Sequence, residues 1–367
     1  MLIQTQKALD RLDWNTDIVG IDHEFDWRDT YGPIPSLVQL ATQDRVVAID
    51  LLVGLDLTSL RELLKNPNVT FVCHDASSEL PLIQEVFDTI PYNLVDTQLA
   101  SGFLGSTKVE SFGSLVAEYC GITLDKSKQT SPWLNRPLSK AQLQYALNDA
   151  KYLPLLWTEI QKQFGSDERE SWFQEELQLQ KSGIQSKAKY LYTHMGVKNR
   201  GAFEPIHYSL LRELFDWREK FAKRVDRPRG WIVRDTVLVQ LATLGDCQVG
   251  TFIRTLKNLD LHKRLNELRK VFIAWERRTD DVAQFLKLGG KSRERLVQDL
   301  RQARDLQGTE HNIYLDLIFR RKQAVELFED FVTTGEFPAW FGTWRDTLVG
   351  EQFRSILSAY AEEVNAP

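Results

Sequence analysis

Ile18-Val19-Gly20-Ile21-Asp22-His23-Glu24-Phe25 reads as an apolar β-strand that ends in two carboxylates. Side chains along a strand alternate between its two faces, so Asp22 and Glu24 share one face. Two acids side by side at the end of a buried strand are costly unless something positive sits between them. A divalent cation meets that need, because hard cations prefer oxygen ligands. The same pattern also fits an ordinary strand running into an acidic loop, and the rest of the chain has to decide.

Outward from this strand, Gly32, Pro33 and Pro35 break a polar turn. Strands at 36–41 and 45–50 then complete an antiparallel run of three. Residues 57–64 read as an amphipathic helix closed by Asn66-Pro67, and 69–73 as a buried strand. A helix starting within 75–78 follows, with Pro81 placed in its first turn. A short strand at 94–96 leads into helices over 96–103, 111–119 and 139–164. The last carries a Ser139/Gln142 capping box and a kink at Pro154. Residues 1–13 are read as a short helix. The order βββαβα is that of a mixed sheet flanked by helices, an α/β domain over 1–180. Beyond 180 the pattern is all-α: a linker over 181–204 and helical units over 205–286 and 287–367. Leu210, Leu214 and Trp217 in the first unit recur at helical spacing, as do Ile318, Val325 and Phe328 in the second. Arg212, Trp217 and Arg218 set against Arg320 and Leu327 suggest an internal duplication.

A chain of 367 residues suits two or three domains. The net charge of −5 does not announce a nucleic-acid binder, but its distribution does. Residues 1–181 hold 15 basic and 26 acidic side chains, whereas 187–278 hold 20 basic and 10 acidic. The middle third is therefore the expected footprint for a polyanion. Cys73, Cys120 and Cys247 are far apart, which argues against a disulfide framework or a structural zinc site and suits a cytoplasmic protein. No apolar run is long enough for a bilayer and 1–17 lacks a signal-peptide core, so no membrane partner is expected. No G-x-x-x-x-G-K-[ST] phosphate loop occurs.

The acids converge in the order of the chain. Asp22 and Glu24 end the first strand, Glu79 lies near the start of the helix after 69–73, and Asp149 sits on the 139–164 helix with Tyr145 one turn earlier. Strand ends and helix starts of an α/β sheet meet along one edge. Four carboxylates there could hold two divalent cations about 4 Å apart, on either side of a phosphoryl displacement. Tyr145 has the size and polarity to orient an attacking water. Each residue alone also fits a plain role: Glu79 complements the helix dipole, Asp149 a solvated face, Tyr145 half-buried packing.

The combination resembles ribonuclease D, the 3′→5′ exoribonucleases of the DEDD superfamily, in the branch whose third motif carries Tyr. The family's D-x-E-F is matched by Asp22-His23-Glu24-Phe25, and its Pro-to-Leu stretch by Ile34-Pro35-Ser36-Leu37-Val38-Gln39-Leu40. I-D-T-Q appears as Val95-Asp96-Thr97-Gln98, L-D-K-S at 124–127, and W-x-x-R-P-L as Trp133-Leu134-Asn135-Arg136-Pro137-Leu138. Y-A-x-x-D-x-x-Y-L is matched from Tyr145 to Leu153. The resemblance implies a ribonuclease-H-like exonuclease domain followed by two helical HRDC-type domains, the second divergent. It implies Asp22, Glu24 and Asp149 as metal ligands, Tyr145 as the residue positioning the nucleophilic water, two Mg²⁺ or Mn²⁺ ions, and action on RNA with a free 3′ end, transfer RNA precursors above all; a monomer is expected, although the sequence leaves oligomeric state open.

Two positions depart from the family. Motif two is H-x-x-x-x-D there, but His74-Asp75-Ala76-Ser77-Ser78-Glu79 here. Glu79 keeps the charge and adds a methylene, a reach of about 1.5 Å, and such a misplacement can cost about 10²-fold in rate. Asp75 offers a second carboxylate one turn away if the helix begins there. Ser131-Pro132-Trp133 replaces Ser-Asp-Trp, a change expected to act on local structure or substrate contact rather than on metal binding. The leading reading is an active exoribonuclease with Asp22, Glu24, Glu79 and Asp149 as ligands. The alternative is an RNA-binding homologue with weak or no turnover. In the basic third, Lys220, Lys223, Arg224, Arg227, Arg229 and Arg234 cluster around Trp231 as a candidate RNA surface. Trp217 and Trp231 themselves are read as core, as are Trp340, Phe341 and Trp344.

Overall fold

Strands β1 (Leu2–Ile3), β2 (Ile18–Asp26), β3 (Ile34–Ala41), β4 (Val46–Asp50), β5 (Thr70–Cys73) and β6 (Asn93–Asp96) form one mixed sheet in the order β1-β4-β3-β2-β5-β6. The structure, a computed structural model, describes residues 1–124, 131–165, 168–183, 205–259, 261–275 and 288–365. Most of the expected linker, residues 125–127 of the L-D-K-S stretch, and the junction at 286–287 lie outside the described residues. The meander β2-β3-β4 is antiparallel, while β5 and β6 add to it in parallel. Register places Asp22 opposite Gln39 and Glu24 opposite Leu37, with an irregularity just after Glu24. β5 pairs with β2 only from Ile18 to Gly20, so the edge of β2 from Ile21 onward is open on that side.

The N-terminus differs from expectation. Leu2 and Ile3 pair in parallel with Ala48 and Ile49, and only then does a one-turn helix, α1 (Gln6–Leu9), follow from its N-cap Thr5. Two apolar residues are too few to signal a strand by themselves; the exposed edge of β4 recruits them.

Seven further helices belong to this part: α2 (Thr58–Lys65), α3 (Ala76–Phe87), α4 (Thr97–Phe103), α5 (Phe112–Cys120), α6 (Lys140–Lys151), α7 (Leu153–Gln161) and α8 (Glu168–Lys181). The core between sheet and helices is built from Val19, Ile21, Val38, Phe71, Ile83 and Phe87, all nearly inaccessible to solvent. The capping box of Ser139 and Gln142 is formed. The single helix expected over 139–164 is instead two, broken at Tyr152, and Pro154 falls in the first turn of α7, where a missing N–H goes unnoticed. Pro81 lies past the first turn of α3 and removes one intrahelical bond there. Gly20 explains how the α6–α7 corner approaches β2. A Cβ at this position would lie 2.8 Å from Leu153 Cβ and 2.9 Å from the Ala150 carbonyl.

The chain divides into two units, one of Met1–Trp27, Pro33–Gln185 and Gly308–Leu317, the other of Arg28–Gly32, Ser186–Gln307 and Ile318–Pro367. The second is helical. Helices α9 (Pro205–Val225), α10 (Arg229–Ile232), α11 (Asp235–Ala242), α12 (Val249–Asn258) and α13 (Leu265–Trp275) close around Leu210, Leu214, Phe215, Leu238, Phe252 and Phe272. Farther along come α14 (Gly290–Glu310), α15 (Leu315–Ile318), α16 (Ala324–Thr334) and α17 (Gly342–Asn365). Two buried arginines repeat one device. Arg218 donates to the Val233 carbonyl at 2.7 Å and Arg304 to the Phe319 carbonyl at 2.8 Å, each 15 residues on. The pairing of Arg218 with Arg304 differs in register from the Arg212-to-Arg320 correspondence expected from the sequence. Trp340, Phe341 and Trp344 are buried as expected, but Trp231 is 62% exposed. Trp231 is therefore no core residue: it lies on a four-residue helix whose buried side is supplied by Ile232.

Candidate active site

Asp22 and Glu24 on β2 and Asp149 on α6 each present a carboxylate oxygen, and the three oxygens lie within 4.8 Å of one another. Strand alternation puts the first two on the face that α6 covers, and Gly20 lets α6 come close enough to add the third. Burial and then the charges of Asp22, Asp149 and Glu79 push Glu24 up to about 10. Asp22 is raised well above its ordinary value by burial, then by Glu79 and Asp149. A cluster that resists ionisation in this way is one that a cation stabilises. The donor set is all oxygen and carboxylate, which fits Mg²⁺ or Mn²⁺ rather than a softer metal. Among the described residues, this is the one such group of three.

Gln39, in the Ile34–Leu40 stretch, is a further member of the site that no local sequence signal marks, because its partner lies on the neighbouring strand. It is fully buried opposite Asp22. With its amide turned to donate, its nitrogen reaches the Asp22 carbonyl at 2.7 Å and Oδ2 at 3.3 Å.

The Tyr145 hydroxyl bonds Asp149, and burial together with that charge and bond raises the phenol's pKa, so it stays a proton donor. Its ring is held from below. Trp133, 2% exposed, lies under it with ring centroids 6.1 Å apart. Trp133 is in turn fixed by its backbone: its carbonyl accepts from Ser36 Oγ at 2.6 Å and from Arg136 at 2.7 Å. Arg136 completes the arrangement with bonds to both carboxylate oxygens of buried Asp50, at 2.8 and 2.7 Å. The W-x-x-R-P-L stretch thus acts on Tyr145 through packing.

Glu79 does not join the three acids. Its Oε2 lies 2.7 Å from His23 Nδ1, with both side chains buried. Burial lowers His23 to about 3 and raises Glu79, with Asp75 and Asp96 adding to the latter. The imidazole is therefore neutral, and through Nδ1 it shares a single hydrogen bond with the Glu79 carboxyl group. His23 Nε2 is buried with no hydrogen-bond partner. Asp75 does not join the three acids either. It precedes α3 in a left-handed conformation (φ 65°), and its oxygens accept from Ser77 and Ser78. Asp96 carries the local architecture: it accepts from the amides of Asp75 and Ala76 at the start of α3 and of Gln98 and Leu99 at the start of α4. His74 bonds Thr97 at 2.9 Å. The His74 and V-D-T-Q stretches are thereby one network that anchors the helix bearing Glu79.

In the helical unit, Lys220, Lys223, Arg224, Arg227, Arg229 and Arg234 are all exposed. They are not equally available. Arg229 forms an ion pair with Glu219 and stacks on Tyr31, while Arg227 donates to the Asp29 carbonyl. Lys220 and Arg224 share a cleft with Glu213, Asp216 and Glu267.

Residues 3–164 match the 3′-5′ exonuclease family and residues 208–245 the HRDC domain. Fold and site together define a ribonuclease-H-like 3′-5′ exonuclease domain with a helical, HRDC-bearing C-terminal part. Ribonuclease D of Musicola paradisiaca is 30% identical over 362 residues, 93% of each chain. Ribonuclease D of Desulfotalea psychrophila is 36% identical over 234 residues, a match that spans 62% of each chain. The crystal structure of Escherichia coli RNase D, an exoribonuclease involved in structured RNA processing, superposes with a TM-score of 0.77 at 23% identity, covering 98% of this chain and 99% of that one. The chain belongs to the ribonuclease D family of 3′-5′ exoribonucleases.

Proposed function

We propose that this chain shortens RNA from its 3′ end, one nucleotide at a time, releasing nucleoside 5′-monophosphates. The convergence of Asp22, Glu24 and Asp149, with Tyr145 bonded to Asp149, carries the reading. Asp22, Glu24 and Asp149 would hold one divalent ion, and Glu79 with Asp22 a second. Two such ions, Mg²⁺ or Mn²⁺, supply positive charge for the attacking and leaving oxygens of a phosphodiester and lower the pKa of water. Tyr145, kept protonated, orients the water by its hydroxyl, and Trp133 holds that hydroxyl in place. Gln39 fixes the orientation of Asp22.

The substrate is RNA with an accessible 3′ end, transfer RNA precursors first among them, and the chain acts as a cytoplasmic monomer. No helix among the described residues is long and apolar enough to cross a membrane. Lys220, Lys223, Arg224 and Arg234 with exposed Trp231 form the RNA-holding surface of the first HRDC-type domain, 205–286. Residues 287–367 form a second, divergent copy, a reading supported by the matching Arg218 and Arg304.

One observation favours a second reading, an RNA-binding homologue without turnover: Glu79 is bonded to His23 rather than to the acidic group. Incubation of 3′-labelled and 5′-labelled RNA with Mg²⁺, Mn²⁺ or EDTA separates the two. Metal-dependent, stepwise loss of the 3′ label with mononucleotide release is expected. Binding without shortening under every metal condition would establish the second reading.

A further inference from the structure

Glu79 is drawn two ways. Helix α3 enters beside the open edge of β2, where pairing with β5 has ended at Gly20. Along such an edge a side chain from the helix meets residues of both strand faces: His23 on one, Asp22 and Glu24 on the other. Glu79 bonds His23 at 2.7 Å, yet among neighbouring charges it has the largest effect on Asp22, ahead of Asp149. The three-carboxylate group forms without it. An aspartate in this place would be shorter by about 1.5 Å, so the bond to His23 depends on the extra methylene.

The His23 ring is an incomplete partner. Its Nε2 is buried with nothing to bond, and an unsatisfied buried polar atom asks for an explanation beyond stability. Phe87 meets the ring edge-on at 6.4 Å, so His23 is packed in place, whereas the longer Glu79 side chain is the member able to change rotamer.

We propose that His23 is a positioning residue that competes with the metal site for the Glu79 carboxylate, holding it in reserve until a second divalent ion binds. This rests on the reading of Asp22, Glu24 and Asp149 as the ligands of a first ion. In the resting protein that ion binds to three carboxylates, and Glu79 stays with His23. Binding of the second breaks the Nδ1–Oε2 hydrogen bond and brings Glu79 toward Asp22. The second ion therefore binds more weakly than it would without His23 by the free energy of that hydrogen bond, about tenfold.

The test is Mn²⁺ binding to the full chain in the absence of RNA, followed by electron paramagnetic resonance of the free ion. The wild type is expected to bind one ion tightly and a second more weakly. His23→Ala should tighten the second ion about tenfold while leaving the first unchanged. Glu79→Asp, too short to reach His23, should act in the same direction, and it decides the matter alone if His23→Ala does not fold. Isotherms of both variants that superimpose on the wild type would overturn the competition while leaving the metal site standing. Weakened binding in His23→Ala would overturn it too, making His23 a support of the site. A wild type that binds no Mn²⁺ would remove the metal reading and this inference together.

Discussion

Arg136 grips Asp50 through two nitrogens, at 2.7 and 2.8 Å, from a loop 86 residues farther along the chain. The same guanidinium bonds the carbonyl of Trp133, the residue under Tyr145. Asp50 is fully buried, and although desolvation opposes it, the bonds from Arg136 and Gln4 hold its pKa below the ordinary value. Arg136→Ala would strand that carboxylate. A loss of about 3 kcal/mol in unfolding free energy is expected, read by urea denaturation, with a drop in kcat because Trp133 no longer supports Tyr145. Arg136→Lys should recover little, since an ammonium cannot make the paired hydrogen bonds.

Asp149→Ala and Tyr145→Phe should part company. The first removes one of three converging carboxylates, and nuclease activity should vanish while far-ultraviolet circular dichroism is unchanged. The second leaves every carboxylate in place. Its kcat should fall about 10²-fold with Mn²⁺ affinity within a factor of about two. Equal loss of metal binding in both would show that Tyr145 acts through Asp149 rather than on water.

Glu24 sets a pH dependence with a definite sign. Its folded pKa is about 10, above its unfolded value of 4.5, so the folded, metal-free chain holds a proton that the unfolded chain has lost. Stability from this group is full below the unfolded pKa and declines as pH rises toward 10. Asp22, also raised, acts in the same direction. The Tm of EDTA-treated protein should therefore fall between pH 5 and pH 9. Mg²⁺ should raise Tm more at pH 9 than at pH 5, because it displaces those protons. An Mg²⁺ increment that shrinks with rising pH would contradict the site.

Gly20→Ala should separate α6 from β2. The added methyl meets Leu153 Cβ at 2.8 Å and a backbone carbonyl at 2.9 Å, neither a flexible chain end. Overpacking of this kind costs about 1–3 kcal/mol. Activity should fall further than stability predicts, since Asp149 moves away from Asp22 and Glu24.

For the helical unit, replacing Lys220, Lys223, Arg224 and Arg234 together by Ala should weaken binding of single-stranded RNA. The slope of log K against log salt should decrease by about 0.7 for each phosphate that is no longer neutralised. Arg229→Ala, which removes an ion pair with Glu219, should instead lower thermal stability with a smaller change in that slope.

Much of the site was legible because it rests on local rules. A strand's alternation puts Asp22 and Glu24 on one side, and a helical turn joins Tyr145 to Asp149. The capping box at Ser139 and the helix start at Asp96 follow from side chains that satisfy nearby amides. What stayed hidden depends on distant partners. Leu2 and Ile3 become a strand only because β4 has an edge to pair, and Trp231 is exposed because Ile232, not the indole, faces the core.

The sequence by itself determined which acids could meet, since their spacing on strand and helix is a matter of backbone periodicity. Only the tertiary structure decided that three of them converge and that Glu79 turns to His23. That choice depends on where β5 stops pairing with β2 and on how far one extra methylene reaches, distances set by packing among segments remote in the chain.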